Sequence, residues 1–285
     1  MTRLAAKQTT AVMILAAPTY DRESDLVLAE QASAGNLKMM EGLLEINPDD
    51  TDLLLLTSGS FTRYAFGFIE EEVEIADLQY EFETKAALVK RAVDFYERGR
   101  RYGMRWIALH RNNFPAVVKQ DLDSLAAELQ EFGEEEVPGL FWTAYAWGSI
   151  INLQQSEPAR LAELSKVELM MERVRELDEA YFFGGAHLFY GTFYGTRPEM
   201  LGGDPVRAKK HLLRAIELTK GKFLMARYLL AKGYCVQVQD RELFESTLRE
   251  IIDAPSDLYP EQRLANEITK RRARRLLERI DDLFF

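Results

Sequence analysis

The chain has little of what supports cross-linking, sheet or membrane insertion. A single cysteine, Cys235, excludes any disulfide within its 285 residues. One cysteine does not fix the compartment, because an exported protein of this size can fold without disulfides. No stretch approaches the roughly 20 apolar residues that a membrane-spanning helix needs. No convincing run alternates with period two, so no sheet is expected. Lys and Arg total 36 against 46 Asp and Glu, which leaves a net charge of -10 and a pI of about 5.1. That balance argues against nucleic acid and anionic membrane as main partners.

What is present reads as a globular helical protein. Hydrophobic residues make up 47% and charged residues 29%, the balance of a folded soluble domain. The 9 prolines and 17 glycines fall mostly where helices should start or stop. Asp204-Pro205 illustrates this: Asp is the N-cap, Pro takes a position whose N–H is unpaired anyway, and "VRAKKHLLRAIEL" follows with helical apolar spacing. We expect helices near 24–46, 51–75, 78–110, 115–131, 138–154, 158–177, 183–195, 205–219, 222–237, 240–253 and 260–282. Residues 1–285 read as one all-helical domain, with the acidic turn at 131–138 as the weakest seam. Ahead of these, Arg3 and Lys7 precede the apolar run Ala11 to Ala17, a layout shared with signal peptides. A first amphipathic helix of the folded domain is the favoured reading.

The stretch "LLEINPDDTDLLLL" raises the question of a repeat. A tetratricopeptide second helix carries a small residue, a bulky one four later and a small one three later, because these face the groove between neighbours. Ala208, Leu212 and Ala215 match best; Val167, Met171 and Val174, then Ala92, Tyr96 and Gly99, follow the same rhythm. Asn36, Met40 and Leu43, with Pro48 beyond, form a further phase. The first-helix pairing of a small residue with an aromatic three later fits Ser58 with Phe61, Gly191 with Tyr194, and Ala231 with Tyr234. The fold class expected is therefore all-α, an irregular tetratricopeptide-like array of helical hairpins. Such arrays bury each unit on the next and leave a concave binding surface.

Enzyme chemistry is scarce. His110, His187 and His211 are far apart, and none lies in a metal-ligand motif. His187 reads as a satisfied histidine near the core, and Cys235 as a buried small residue. "LGGDPVRA" lacks the Lys-Ser/Thr ending of a phosphate loop. The acidic runs Glu70-Glu71-Glu72 and Glu134-Glu135-Glu136 read as solvated faces, and the basic run 270–275 as an ion-paired helix surface. We expect a protein that is not an enzyme, with no cofactor and no metal.

Aromatic residues cluster in "FTRYAFGF" (61–68), "LFWTAYAW" (140–147) and "YFFGGAHLFYGTFYG" (181–195). Most must be core, but Tyr and Trp have polar tips that resist full burial. Trp142, Tyr145, Tyr181, Phe182, Phe189, Tyr190, Phe193 and Tyr194 are the candidates to line an apolar cleft. Glycines at 184, 185 and 191 suggest either close packing or room for a guest. No Asp, Glu, Lys or Arg occurs between 140 and 151 or between 180 and 196, which suits an apolar ligand better than a dicarboxylate.

Residues 139–164 and 169–252, above all "LGGDP-x-x-A-x-x-H" and "VQDRELF", resemble the TatT family, the T components associated with tripartite ATP-independent periplasmic (TRAP) transporters. "SFTRYAFGFIEEE" and "LANEITKRRARRLLERIDDLFF" extend the likeness over nearly the whole chain. The resemblance implies degenerate tetratricopeptide units and a periplasmic location. Lipid anchoring would run through an N-terminal cysteine that this chain does not carry. It also implies partnership with the solute-binding protein of a TRAP system, and a hydrophobic cleft for an apolar small molecule. We expect a homo-oligomer, a trimer by preference. The alternative is a pure protein–protein scaffold without a small-molecule site.

Overall fold

The computed structural model describes residues 2–284. It is 81% helical, and no strand occurs among the described residues. In chain order the helices are α1 (Thr2–Asp21), α2 (Leu26–Ile46), α3 (Thr51–Tyr64), α4 (Glu70–Leu78), α5 (Phe82–His110), α6 (Phe114–Val117), α7 (Leu122–Gln130) and α8 (Val137–Leu153). They continue with α9 (Pro158–Leu161), α10 (Leu164–Leu177), α11 (Tyr181–Gly195), α12 (Pro205–Leu218), α13 (Met225–Leu229), α14 (Arg241–Asp253), α15 (Arg263–Leu277) and α16 (Ile280–Leu283). Among the described residues no helix is long and apolar enough to cross a membrane.

The boundaries depart from expectation where local chemistry interrupts a periodic run. The helix expected over 115–131 stops and restarts, because Asp121 caps α7 by accepting from the Ser124 backbone N–H at 2.8 Å. The run 158–177 divides likewise into α9 and α10. The run 51–75 stays helical but widens into a π turn over Ala65–Ile69, and a second π turn, Leu230–Cys235, follows α13. Each π turn inserts one extra residue and rotates the following side chains.

The helices gather into two compact units. One contains residues up to Ala17 with Glu30–Asp178; the other contains Pro18–Ala29 with Glu179 onward.

In the first unit α5 packs against α3 and α8, and α8 against α10. Glycine makes the close approach possible. The Ser58 hydroxyl donates to the Gly99 carbonyl at 2.8 Å, and a Cβ on Gly103 would collide with the Thr143 hydroxyl. Ala92, Tyr96, Val167, Met171 and Val174 are buried as the repeat spacing demands. The earliest phase is shifted: Leu37, Met40 and Leu44 are buried, while Leu43 is half-buried. The acidic turn at 131–138 lies inside this unit. Glu136 is buried, accepts from the Gly133 backbone N–H at 2.7 Å, and pairs with Arg111 Nε at 2.5 Å. Arg111 in turn lies over the Phe132 ring, 4.6 Å from its centroid. Glu71 is buried too, so each acidic run contributes one carboxylate to the interior instead of forming only a solvated face.

In the second unit α11 pairs with α12, α12 packs on the π turn, and α14 on α15. Ala208, Leu212 and Ala215 are fully buried. The basic run of α15 is partly internal: Lys270 and Arg272 are buried, and Lys270 pairs with Glu267 at 3.1 Å.

Candidate functional site

The aromatic candidates fall into both units. Trp142 and Tyr145 lie on α8 in the first; Tyr181, Phe182, Phe189, Tyr190, Phe193 and Tyr194 lie on α11 in the second. In the first unit Trp142 is buried and stacks on Tyr145 at 6.1 Å between centroids, and Tyr145 meets Phe66 of the π turn at 6.2 Å. Gly59 of α3 faces the Trp142 indole, where even a Cβ would sit 3.0 Å from it.

Along α11 the 3.6-residue period brings Tyr190 and Tyr194 together, stacked 5.9 Å apart with 15° between planes. Both also meet the His211 ring of α12, at 5.0 and 6.0 Å. Phe189 and Phe193 flank them on the half-exposed side. Gly191 gives no room for a guest here, because a Cβ would run into Leu212. It is the close approach of α12 that requires this glycine.

The start of α11 is different. Phe182, Phe183 and Gly184 all have positive φ, at 46°, 62° and 74°. The right-handed helix expected from residue 183 therefore begins only after Gly184. A left-handed conformation costs a residue with a Cβ roughly 1–2 kcal/mol, so two consecutive phenylalanines there must be held by their surroundings. Phe183 stacks on Phe223 at 4.6 Å and meets Tyr259 edge-on at 5.9 Å. Gly184 faces Ala215 of α12, whose Cα would lie 3.3 Å from a Cβ added to Gly184.

A cleft of about 450 Å³ opens beside this turn. Phe182, Phe183, Leu218 and Tyr259 supply its apolar wall, and Thr219, Lys220 and Lys222 its polar one. The polar wall is itself a left-handed turn, with φ of 52° at Lys220 and 70° at Gly221. Asn266 of α15 fixes it, donating to the Lys222 carbonyl at 2.9 Å and accepting from the Leu224 N–H at 3.0 Å. Of the sequence candidates only Phe182 lines this cleft; Phe183, Leu218 and the lysines gave no signal in the sequence.

Next to the cleft, sequence-distant ionisable groups converge. Glu179 pairs with Arg214 through both carboxylate oxygens, and Arg214 also reaches Glu217 at 2.8 Å. The carboxylate also faces His187 Nε2 at 3.3 Å, and His187 Nδ1 lies 2.9 Å from His211 Nδ1. The Arg214 guanidinium, aided by His187, lowers the Glu179 pKa from 4.5 to about 2. An ionised Glu179 only accepts, so a neutral His187 carries its proton on Nε2 and accepts at Nδ1 from His211 Nδ1–H. The histidine–carboxylate pair thus meets a second imidazole where a hydrolytic triad has a hydroxyl or thiol. No group of three or more His, Cys, Asp and Glu that could hold a metal occurs among the described residues. Cys235 is buried, which pushes its thiol up to about 12 and keeps it unreactive.

Because the Glu179 pKa is depressed on folding, its stabilising contribution is complete above about 4.5 and is lost as pH falls toward about 2. Glu179→Gln should therefore melt below wild type at neutral pH. The gap between the two should close across that acid window, as thermal denaturation at stepped pH will report.

Two comparisons with known proteins bear on these features. A family model described as TAtT, the TRAP transporter T-component, matches residues 22–284. An uncharacterized protein of Treponema pallidum (strain Nichols) is 24% identical over 269 residues, which is 93% of this chain and 82% of that relative.

Proposed function

The chain belongs to the TRAP transporter T-component family, and from that premise we propose that it is a non-enzymatic cell-envelope accessory protein that docks the system's solute-binding protein. We place it on the periplasmic side, as a homo-oligomer and a trimer by preference, with an apolar ligand in the aromatic cleft of the second unit. The observation that carries the ligand reading is the cleft of about 450 Å³ walled by Phe182, Phe183, Leu218 and Tyr259. Its size falls within the range of small-molecule sites, which are mostly apolar with a few placed polar groups. Burial at tetratricopeptide spacing on α5, α10 and α12 supports a repeat scaffold, whose stacked units serve as docking surfaces.

A second reading, a scaffold without a small-molecule site, draws on Gly191. Leu212 occupies the space beside that glycine, and Arg207 covers the Tyr194 face of the Tyr190–Tyr194–His211 stack, 4.0 Å from the ring centroid. Docking is tested by sedimentation of the purified chain with the purified solute-binding protein of the same TRAP system. A faster boundary at tens of micromolar is expected; its absence would remove docking from the proposal. Native mass spectrometry of gently purified protein then reports subunit number and any retained small molecule together. A bare 32.8 kDa monomer would overturn the oligomer and favour the scaffold reading.

A further inference from the structure

The corner between α4 and α5, in the first unit, holds two aromatics out in solvent. Tyr80 is 78% exposed and Phe82 69%, more than any other aromatic among the described residues. Neither side chain takes part in a hydrogen bond, ion pair or ring contact there. The helix that follows stands clear of the core as well. No residue from 82 to 91 is buried, and the first buried side chain of α5 is Ala92. That leaves nearly three turns of helix, about 15 Å, projecting beyond the packed part of the unit.

The tip is nonetheless fixed in shape. Lys85 pairs with Asp77 at 2.6 Å and Arg91 with Glu72 at 3.2 Å, which ties the overhang of α5 to α4. The Glu81 N–H donates to the Ala76 carbonyl at 2.9 Å and closes the end of α4, with Tyr80 in the left-handed conformation at φ 58°. That position usually takes glycine or asparagine. Lys220 and Gln239 occupy the same conformation elsewhere in the chain, and their polar side chains suit water. A tyrosine gains nothing from water there. Strain of this kind, kept at an exposed aromatic, is characteristic of a contact site.

We propose that this tip is a docking knob. Tyr80 and Phe82 enter an apolar pocket on a partner protein, and Glu81 and Glu83 meet lysines or arginines at the rim of that pocket. The inference rests on the docking reading above and adds the element that makes the contact and the chemistry it requires of the partner. A projecting pair of rings offers no enclosure for a small molecule, so the concave surface has to come from the other side. Rigid aromatic anchors seated in pockets carry most of the energy of such interfaces. Charge decides among the possible occupants. Between residues 70 and 84 the chain has seven Asp and Glu and no Lys or Arg. An anionic lipid surface would repel that tip. A second copy of this chain, with its net charge of -10, is a poor electrostatic match for it. A basic-rimmed pocket on a different protein complements it.

The purified solute-binding protein of the same TRAP system is the probe, titrated by calorimetry against the full chain. The double variant Tyr80→Asn/Phe82→Ser should weaken binding at least tenfold, as loss of an anchor does. Asparagine is at home in the left-handed position, so its melting temperature should stay at or above that of wild type. Met200→Ser, which removes an exposed apolar side chain of the second unit, should bind as wild type does. Added salt should weaken the wild-type complex and affect Glu81→Gln/Glu83→Gln less. If the aromatic double variant binds as tightly as wild type, the knob falls while docking stands. If the two charge variants keep the wild-type salt dependence, the basic rim falls. If the aromatic double variant instead lowers the subunit number in sedimentation, the tip is a contact between copies and the proposal is overturned. If wild type itself does not bind, the docking reading falls and the knob with it.

Discussion

Phe61→Ala is expected to destabilise the first unit by about 3–5 kcal/mol, the range for a large aromatic truncated in a core that cannot collapse. Phe61 is fully buried on α3. Its ring lies 5.6 Å from Phe95 and 5.9 Å from Tyr102, both on α5, and the Arg98 guanidinium sits 5.4 Å from its centroid. Those partners cannot close the gap, because α3 and α5 are already held together by the Ser58–Gly99 hydrogen bond. The lost ring therefore leaves a cavity as well as a transfer term. Urea titration followed by circular dichroism measures the effect. A midpoint within error of wild type would show that the α3–α5 contact is not a core contact.

Ala215→Leu should cost about 1–3 kcal/mol by overpacking. Ala215 is fully buried on α12 and lies directly under Gly184, whose left-handed turn has no Cβ to retract. A leucine there must push against the segment that carries Phe182 and Phe183. Thermal stability should fall. Unchanged stability would mean that α12 does not present this face to α11.

Much of the helical plan was legible because its causes are local. Asp204-Pro205 opens α12 as read, with the Asp204 side chain accepting from the Arg207 N–H at 3.0 Å. The TRAP T-component family was legible too, in ordered short motifs along the chain. What failed to show was non-local. Nothing in "YFF" announces a left-handed turn, since phenylalanine does not favour one; the turn exists because Phe223, Tyr259 and Ala215 surround it. His187 and His211 are 24 positions apart, and their imidazoles meet only because α11 lies on α12. The phase near Met40 was misjudged by one residue, since spacing alone cannot tell Leu43 from Leu44 as the inward side chain. Gly191 could be read as space or as contact, and only Leu212 decides between them.

The chain has 3 tryptophans. Trp106 lies on α5, and Trp142 and Trp147 on α8, all in the first unit. Intrinsic tryptophan emission is therefore a gauge of that unit's packing, and the second unit contributes only tyrosine signal. A chromophore introduced at an exposed position of the second unit, such as Met200, would give that half of the molecule an optical reporter of its own.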